Sequence, residues 1–345
     1  RVSHALGAAR EEMSGVREDV RAVESRVARD VALAYYDLLL ARERLRVLES
    51  ERAARERQLE RVKARLELED ATRLDLLTAQ VALANLRPQI LAAESGVRIA
   101  AARLNETMGR PVTAPVEPAD ALALPDPLPV LPGLETLLEI AASGRAEIQR
   151  FMLDRRVLRE AQGVTRADVL PEITGNASFG VSTFDRGNLT DLDFRSWSVG
   201  VTLRWRLFDG LQTAGTIAQL KSQVRQSEFQ EASFRAALTR ELERAAADWR
   251  RGLEAVRAAK VAVEQAREAE SLAEESFKWG AATVLDILEA ERGVRQAELN
   301  HAEAHHVVLT ALAELKYLIG MRADARIDAG KASNTGAELM EDQQS

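Results

Sequence analysis

The chain has 345 residues, a formal net charge of -7 and no cysteine; 29% of it is charged and only 4% aromatic. Those values exclude disulfides, thiolate metal sites and a cysteine nucleophile, and the mild acidic balance with Arg and Glu interleaved argues against a nucleic-acid binder. No run approaches ~18 uninterrupted apolar residues, so no transmembrane helix is expected.

Residues 1–109 predict a helical hairpin. Their Ala, Leu, Glu, Arg and Gln content is that of strong helix formers, and no proline occurs before residue 88. The first arm is expected to end near Glu67–Asp70. The second is expected to run to Met108, with Gly109 as its cap and Pro111 beyond. At ~1.5 Å per residue a first arm of this length is roughly 100 Å long. Val27, Val31, Tyr35, Leu38 and Leu45 form a narrow apolar seam, as do Leu59, Val62 and Leu66. The stretch Glu49–Arg57 between them is almost wholly charged and reads as solvated. Taken alone, such helices fit a plain coiled coil equally well.

Residues 110–133 hold seven of the nine prolines and predict an extended linker or a strap across a surface. A helix is expected over 134–169, weak at Ser143-Gly144. From Pro171 the period changes to two. Ile173, Gly175, Ala177, Phe179 and Val181 take one face of a strand; Trp197, Val199, Val201, Leu203, Trp205 and Leu207 take one face of the next. The span 170–208 is therefore a hairpin with one apolar face. A soluble sheet packed on a core is one reading of that face; a transmembrane β-strand of ~10 residues, apolar outward and polar inward, is the favoured one, with Trp197 and Trp205 roughly 27 Å apart along the strand. Phe184, Trp197 and Trp205 are the candidate membrane girdle. Two strands alone are not stable, so the hairpin is expected to join strands of other protomers.

Residues 209–320 predict a second helical hairpin, with one arm from about Thr213 to Lys278, a break at Gly280, Thr283 as N-cap and Gly320 as the closing residue. It repeats the first. At an offset of 211 positions, Ala71-Thr72-Arg73-Leu74-Asp75-Leu76-Leu77 lies over Ala282-Thr283-Val284-Leu285-Asp286-Ile287-Leu288. Ala34 meets Ala245, Leu104 meets Leu315, and Gly109 meets Gly320. Residues 321–345 read as a flexible tail.

In chain order, Val31–Leu39 (V-A-L-A-Y-Y-D-L-L), Gly144–Ile148 (G-R-A-E-I, with Ala146 where R-P-E-L has Pro), Leu170–Ile173 (L-P-E-I), Trp205–Gly210 (W-R-L-F-D-G) and Trp279–Leu288 (W-G-A-A-T-V-L-D-I-L) resemble motifs of the TolC-like outer-membrane efflux protein family. The resemblance covers roughly residues 1–320. It implies a mainly α fold with a β-hairpin. Long helical hairpins form an α-barrel tunnel, and strands of a homotrimer build one twelve-stranded transmembrane β-barrel. It further implies an export duct of a tripartite efflux or type I secretion system in the outer membrane of a Gram-negative bacterium. The tips dock a periplasmic adaptor (membrane fusion) protein, which links the duct to an inner-membrane transporter of RND, ABC or MFS type. No catalysis and no cofactor are implied. By the repeat offset, the counterpart of Phe208-Asp209-Gly210 falls just before Arg1, so a further hairpin and roughly 80 residues are expected upstream. The competing class is a soluble coiled-coil scaffold or periplasmic adaptor.

The candidate docking tips are Glu69, Ala71, Thr72, Leu74 and Asp75 in the first copy and Gly280, Thr283, Leu285 and Asp286 in the second. Ordinary turn chemistry accounts for Thr72, Thr283 and Gly280, but less well for the repeated Leu-Asp. Because Glu69 stands where the second copy has Gly280, the two tips are expected to differ in conformation. Asp286 and Glu289 share a helix face and, repeated in a trimer, would make an acidic ring that favours cations; solvated carboxylates are the plain alternative. Arg204 and Arg206 are placed in the barrel lumen, or else at the membrane edge. His301 and His305 have the spacing of zinc ligands but lack a His-Glu-x-x-His arrangement, and a metal is disfavoured.

Overall fold

The computed structural model describes residues 2–69, 71–181 and 195–321. Phe184, the polar loop at 185–191, Asp70 and the tail beyond Met321 lie outside the described residues. The elements are α1 (Val2–Glu67), α2 (Arg73–Ala84), α3 (Leu86–Thr107), α4 (Leu134–Gly144), α5 (Ala146–Arg166), a 3-10 turn (Ala167–Val169), β1 (Glu172–Val181), β2 (Arg195–Arg204), α6 (Gln212–Lys278) and α7 (Val284–Leu318). They fall into two compact units. One holds residues up to Val20 with Ala146–Arg235, and the other Arg21–Arg145 with residues from Ala236 onward.

In the first unit α5 is tied to the start of α1 by charge. His4 Nδ1 lies 2.6 Å from Glu160, and Arg150 reaches Glu12 at 3.2 Å and Asp19 at 3.5 Å. On the α6 side Arg155 contacts Glu231 at 2.5 Å, and the Phe151 and Phe234 rings lie 5.9 Å apart. β1 and β2 pair antiparallel from Glu172↔Arg204 to Val181↔Arg195. β2 ends at Arg204, short of the expected Leu207. There the Trp205 indole turns to donate to the carbonyl of Val169 at 3.2 Å, which closes the base of the hairpin.

In the second unit the core follows the α1 seam. Ala34 and Leu38 pack with Leu104 of α3, flanked by Val31, Tyr35, Val97 and Val116. The proline-rich segment crosses this surface as a strap. Tyr35 donates to Asp120 (2.9 Å), Arg42 to the Val116 carbonyl (2.8 Å), Asn105 to the Ala114 carbonyl (2.8 Å) and His305 to the Leu122 carbonyl (3.1 Å). Tyr35 takes the Asp120 carboxylate, and the other three donors satisfy carbonyls that a proline-rich chain cannot pair with itself.

Three expectations are corrected here. The second arm of the first hairpin is two helices, divided at Asn85. Pro88 has no N–H, and its ring would collide with the carbonyl of Ala84, the last residue of α2. The expected helix over 134–169 is likewise divided. Arg145 is extended (φ -76, ψ 118), and its guanidinium donates to the Tyr317 carbonyl at 2.8 Å while stacking 4.3 Å over the Tyr317 ring. Finally, the charged run 49–57 is not wholly wet: Glu51 and Arg55 are buried.

Candidate functional site

Two surfaces carry the candidate residues: the paired tips and the hairpin.

At the tips, the two turns share one apolar cluster. Val62 of α1, Ala82 of α2, and Val284 and Leu288 of α7 are buried together, with Ala71, Leu76 and Phe277 packed against them. Arg65 stacks 4.5 Å over the Phe277 ring. Each return helix opens with a capping box. Thr72 accepts from the Asp75 N–H, and the Asp75 carboxylate accepts from the Thr72 N–H (2.9 Å) and hydroxyl (2.7 Å). Thr283 and Asp286 repeat it at 2.7 Å for both bonds. A Thr three residues before a carboxylate satisfies two orphan helix donors reciprocally. Turn chemistry therefore explains the repeated Asp, contrary to expectation. The N–H and hydroxyl of Thr283 hold the Asp286 carboxyl below its usual range.

The expected difference between the tips is also corrected. Glu69 has φ 62 and Gly280 φ 72. The Glu69 N–H donates to Leu66 and the Gly280 N–H to Phe277, both at 3.1 Å. The two turns thus adopt one left-handed closure, and Glu69 bears the strain that Gly280 escapes.

The tips show large apolar side chains to solvent among charged ones such as Arg73 and Lys278. Leu74 is 72% and Leu285 53% exposed. The sequence reading missed their companions, Leu68 (74%) and Trp279 (82%). The 211-residue offset pairs these two as well, which is the signal that could have found them. Asp286 and Glu289 are both exposed, one turn apart on α7.

On the hairpin, the register places Ile173, Gly175, Ala177 and Phe179 directly opposite Leu203, Val201, Val199 and Trp197. Opposed residues in an antiparallel pair share a face, so this face is continuously apolar. It is exposed in the chain, with Trp197 at 77% and Val201 at 75%. The other face is polar. Glu172 opposes Arg204, Thr174 opposes Thr202, and the Ser178 and Ser198 hydroxyls lie 2.9 Å apart. Arg204 is therefore on the polar face, while Trp205 and Arg206 lie just past the strand. Leu207 and Phe208 add exposed apolar surface at the hairpin base.

The histidines point to separate elements. His306 Nε2 donates to Asp37 at 2.8 Å, and His305 is spent on the strap. The rings of His301 and His305 lie 4.3 Å apart. Burial, reinforced by His305, keeps His301 below the ordinary imidazole value. Among the described residues no group of three or more His, Cys, Asp or Glu is placed to hold a metal.

Among the described residues no helix is long and apolar enough to cross a membrane. Residues 1–110 and 137–321 match the family described as outer membrane efflux protein. The chain is 25% identical over 299 residues to outer membrane protein TolC of Vibrio cholerae, covering 84% of this chain and 66% of that protein. It is 23% identical over 309 residues to alkaline protease secretion protein AprF of Pseudomonas aeruginosa, covering 88% and 63%. The chain thus spans less than two thirds of the length of these curated relatives. The MtrE outer membrane channel of Neisseria gonorrhoeae, solved in an open state, is 20% identical and superposes with a TM-score of 0.77 over 94% of this chain and 72% of that one. At that identity the likeness speaks for the fold.

Proposed function

This chain belongs to the outer membrane efflux protein family, and from that premise we propose that it is a protomer of a homotrimeric duct in the outer membrane of a Gram-negative bacterium. The duct carries cargo from the periplasmic side to the exterior as part of a tripartite efflux or type I secretion system. One observation carries the reading: a two-stranded hairpin whose entire apolar face, from Ile173 and Leu203 to Phe179 and Trp197, is exposed while the opposite face is polar. Water does not tolerate such a ribbon alone. Lipid on the apolar face and neighbouring strands along both edges satisfy it, and the polar face then lines a lumen.

In this reading Trp197 and Trp205 sit at the membrane boundary, and Arg204 and Arg206 contribute positive charge near the lumen. The tips, Glu69 to Asp75 and Gly280 to Asp286, meet a periplasmic adaptor. Leu68, Leu74, Trp279 and Leu285 offer it apolar anchors. Asp286 and Glu289 from three protomers ring the periplasmic mouth and favour cations. An inner-membrane transporter of RND, ABC or MFS type supplies the energy, so the chain itself has no bond-making step to perform.

The test is reconstitution of the full-length protein. It is expected to need detergent for solubility, to form trimers, to give cation-selective conductance in planar bilayers, and to co-purify with its adaptor. A full-length protein that stays monomeric without detergent and gives no conductance overturns the reading.

A further inference from the structure

Between the tips and the strap, α1 and α7 meet across buried charge. Glu51, Arg55 and Glu291 have side chains 3%, 5% and 4% exposed. The Glu51 carboxylate takes both arginines. Arg55, on its own helix, donates through Nε (3.0 Å) and Nη2 (2.5 Å), and Arg295 of α7 donates through Nη1 at 2.5 Å to each oxygen. Glu291, one turn before Arg295, is left over. Its Oε2 lies 4.0 Å from Arg55 Nε and makes no hydrogen bond, and the buried amide nitrogen of Gln58, three residues beyond Arg55, makes none either.

The charges belong to one copy of the repeat only. At the 211-residue offset, Glu51, Arg55 and Gln58 correspond to Ala262, Ala266 and Ala269, while Glu291 and Arg295 correspond to Gln80 and Ala84. In the chain these counterparts are small or neutral and, Ala266 apart, exposed. The α1–α7 seam instead buries two carboxylates and the Arg55 guanidinium, with Arg295 part-buried beside them, at a desolvation cost that apolar packing avoids. A buried carboxylate oxygen without a hydrogen bond, Glu291 Oε2, adds to that cost.

We propose that Glu291 is a proton-operated clasp between α1 and α7: protonated, it leaves both arginines to Glu51, and ionised, it draws the Arg55 guanidinium across the interface and away from Glu51. The proton passes to water and the carboxylate so formed pairs with Arg55. Only Arg55 changes partner, and the 4.0 Å gap is closed by a side-chain rotation. The groups facing Glu291 are Glu51, Arg55 and Arg61 from α1, Glu270 from α6, and Arg295 on its own helix. Burial is the main cause that lifts Glu291 to about 7; Glu270 and Glu51 add to it, and Arg55 and Arg61 oppose it. Glu270 is itself raised, by burial and by Glu274 and Glu298. The exchange therefore falls at neutral pH. It acts about 12 Å along α7 from the Thr283 cap, so it sets how firmly α7 is held to α1 just behind the tips.

Residues 1–345 contain no cysteine, so in the full-length protein in detergent micelles, with any cysteine outside them replaced by serine, a spin-label pair is placed at the exposed positions Glu60→Cys and Arg292→Cys. The label distance and the infrared carbonyl band of protonated carboxyl groups are followed from about pH 5.5 to about pH 8.5, a range that brackets a neutral titration. The expected result is a distance change and a loss of one carboxyl band with a shared midpoint near neutrality. Both are abolished in Glu291→Gln, which copies the protonated form. A pH-independent distance in the parent overturns the clasp, as does a response that persists in Glu291→Gln. The parent's carboxyl titration decides by itself should the variant not fold. Neither readout requires the duct to conduct.

Discussion

The left-handed residue at each tip gives a reciprocal pair of substitutions. Glu69→Gly converts the first tip to the residue of the second. A non-glycine residue in this region costs roughly 1–2 kcal/mol, while glycine costs about 0.5–1 kcal/mol through the freedom of the unfolded chain. The expected net gain is about 0.5–1 kcal/mol. Gly280→Ala runs the argument backward. A Cβ at Gly280 meets nothing within 4 Å, so its cost is purely conformational, about 1 kcal/mol. Local stability is read by amide hydrogen exchange over residues 66–72 and 277–283. The first substitution should slow exchange in its turn about two- to fivefold, and the second should speed it by a similar factor. Unchanged or faster exchange in Glu69→Gly would refute the claim that this turn stores backbone strain.

Gly320→Ala should destabilise by about 2–4 kcal/mol, since its Cβ would stand 2.4 Å from the Gly144 backbone at φ +71; a lowered melting temperature and early proteolysis near residue 144 check it. Val201→Arg should cost about 2–4 kcal/mol of membrane insertion whereas Thr202→Arg, on the polar face, should cost little; the inserted fraction in lipid vesicles separates them. Trp279→Ala should weaken adaptor binding at least about tenfold with the melting temperature unchanged, as for a buried aromatic anchor, measured by titration of the two purified proteins. Glu291 also predicts the sign of a pH dependence. Its folded value, about 7, lies above its ordinary 4.5, so the folded state binds the extra proton between those values. Stability then falls as pH rises from about 4.5 to about 7 and is flat above. The loss is about 2 kcal/mol after allowance for solvent screening, and Glu291→Gln should flatten that slope in chemical denaturation.

Where side-chain period decides structure, the sequence was legible. Strict alternation at 173–179 and 197–203 gave both faces of the hairpin, because one residue of slip would reverse every side chain. The repeated Ala-Thr-x-Leu-Asp located both tips. Three-dimensional partners decided the rest. The α1 seam runs Val47, Glu51, Arg55, Gln58, Val62, in steps of four, four, three and four. The spacing is that of a buried stripe, but the charges disguise it until Arg295 arrives from α7. The break at Arg145 depends on Tyr317, a residue 172 positions away. Only Pro88 was a local signal passed over. Leu68 and Trp279 look like ordinary helix-end residues because exposure, unlike periodicity, is set by what fails to cover them.

The strap has a mechanical consequence. It fastens α1 at Tyr35 and Arg42 and α7 at His305, which leaves roughly 35 Å of each helix between the fastening and its tip. A rod clamped at one end deflects as the cube of its free length. Displacement is therefore largest at the far end, and a tilt of one degree at the strap displaces a tip by about 0.6 Å over that length. Shortening the free span by a third would stiffen each arm about threefold. The proline belt thus sets the compliance of the tips from a distance.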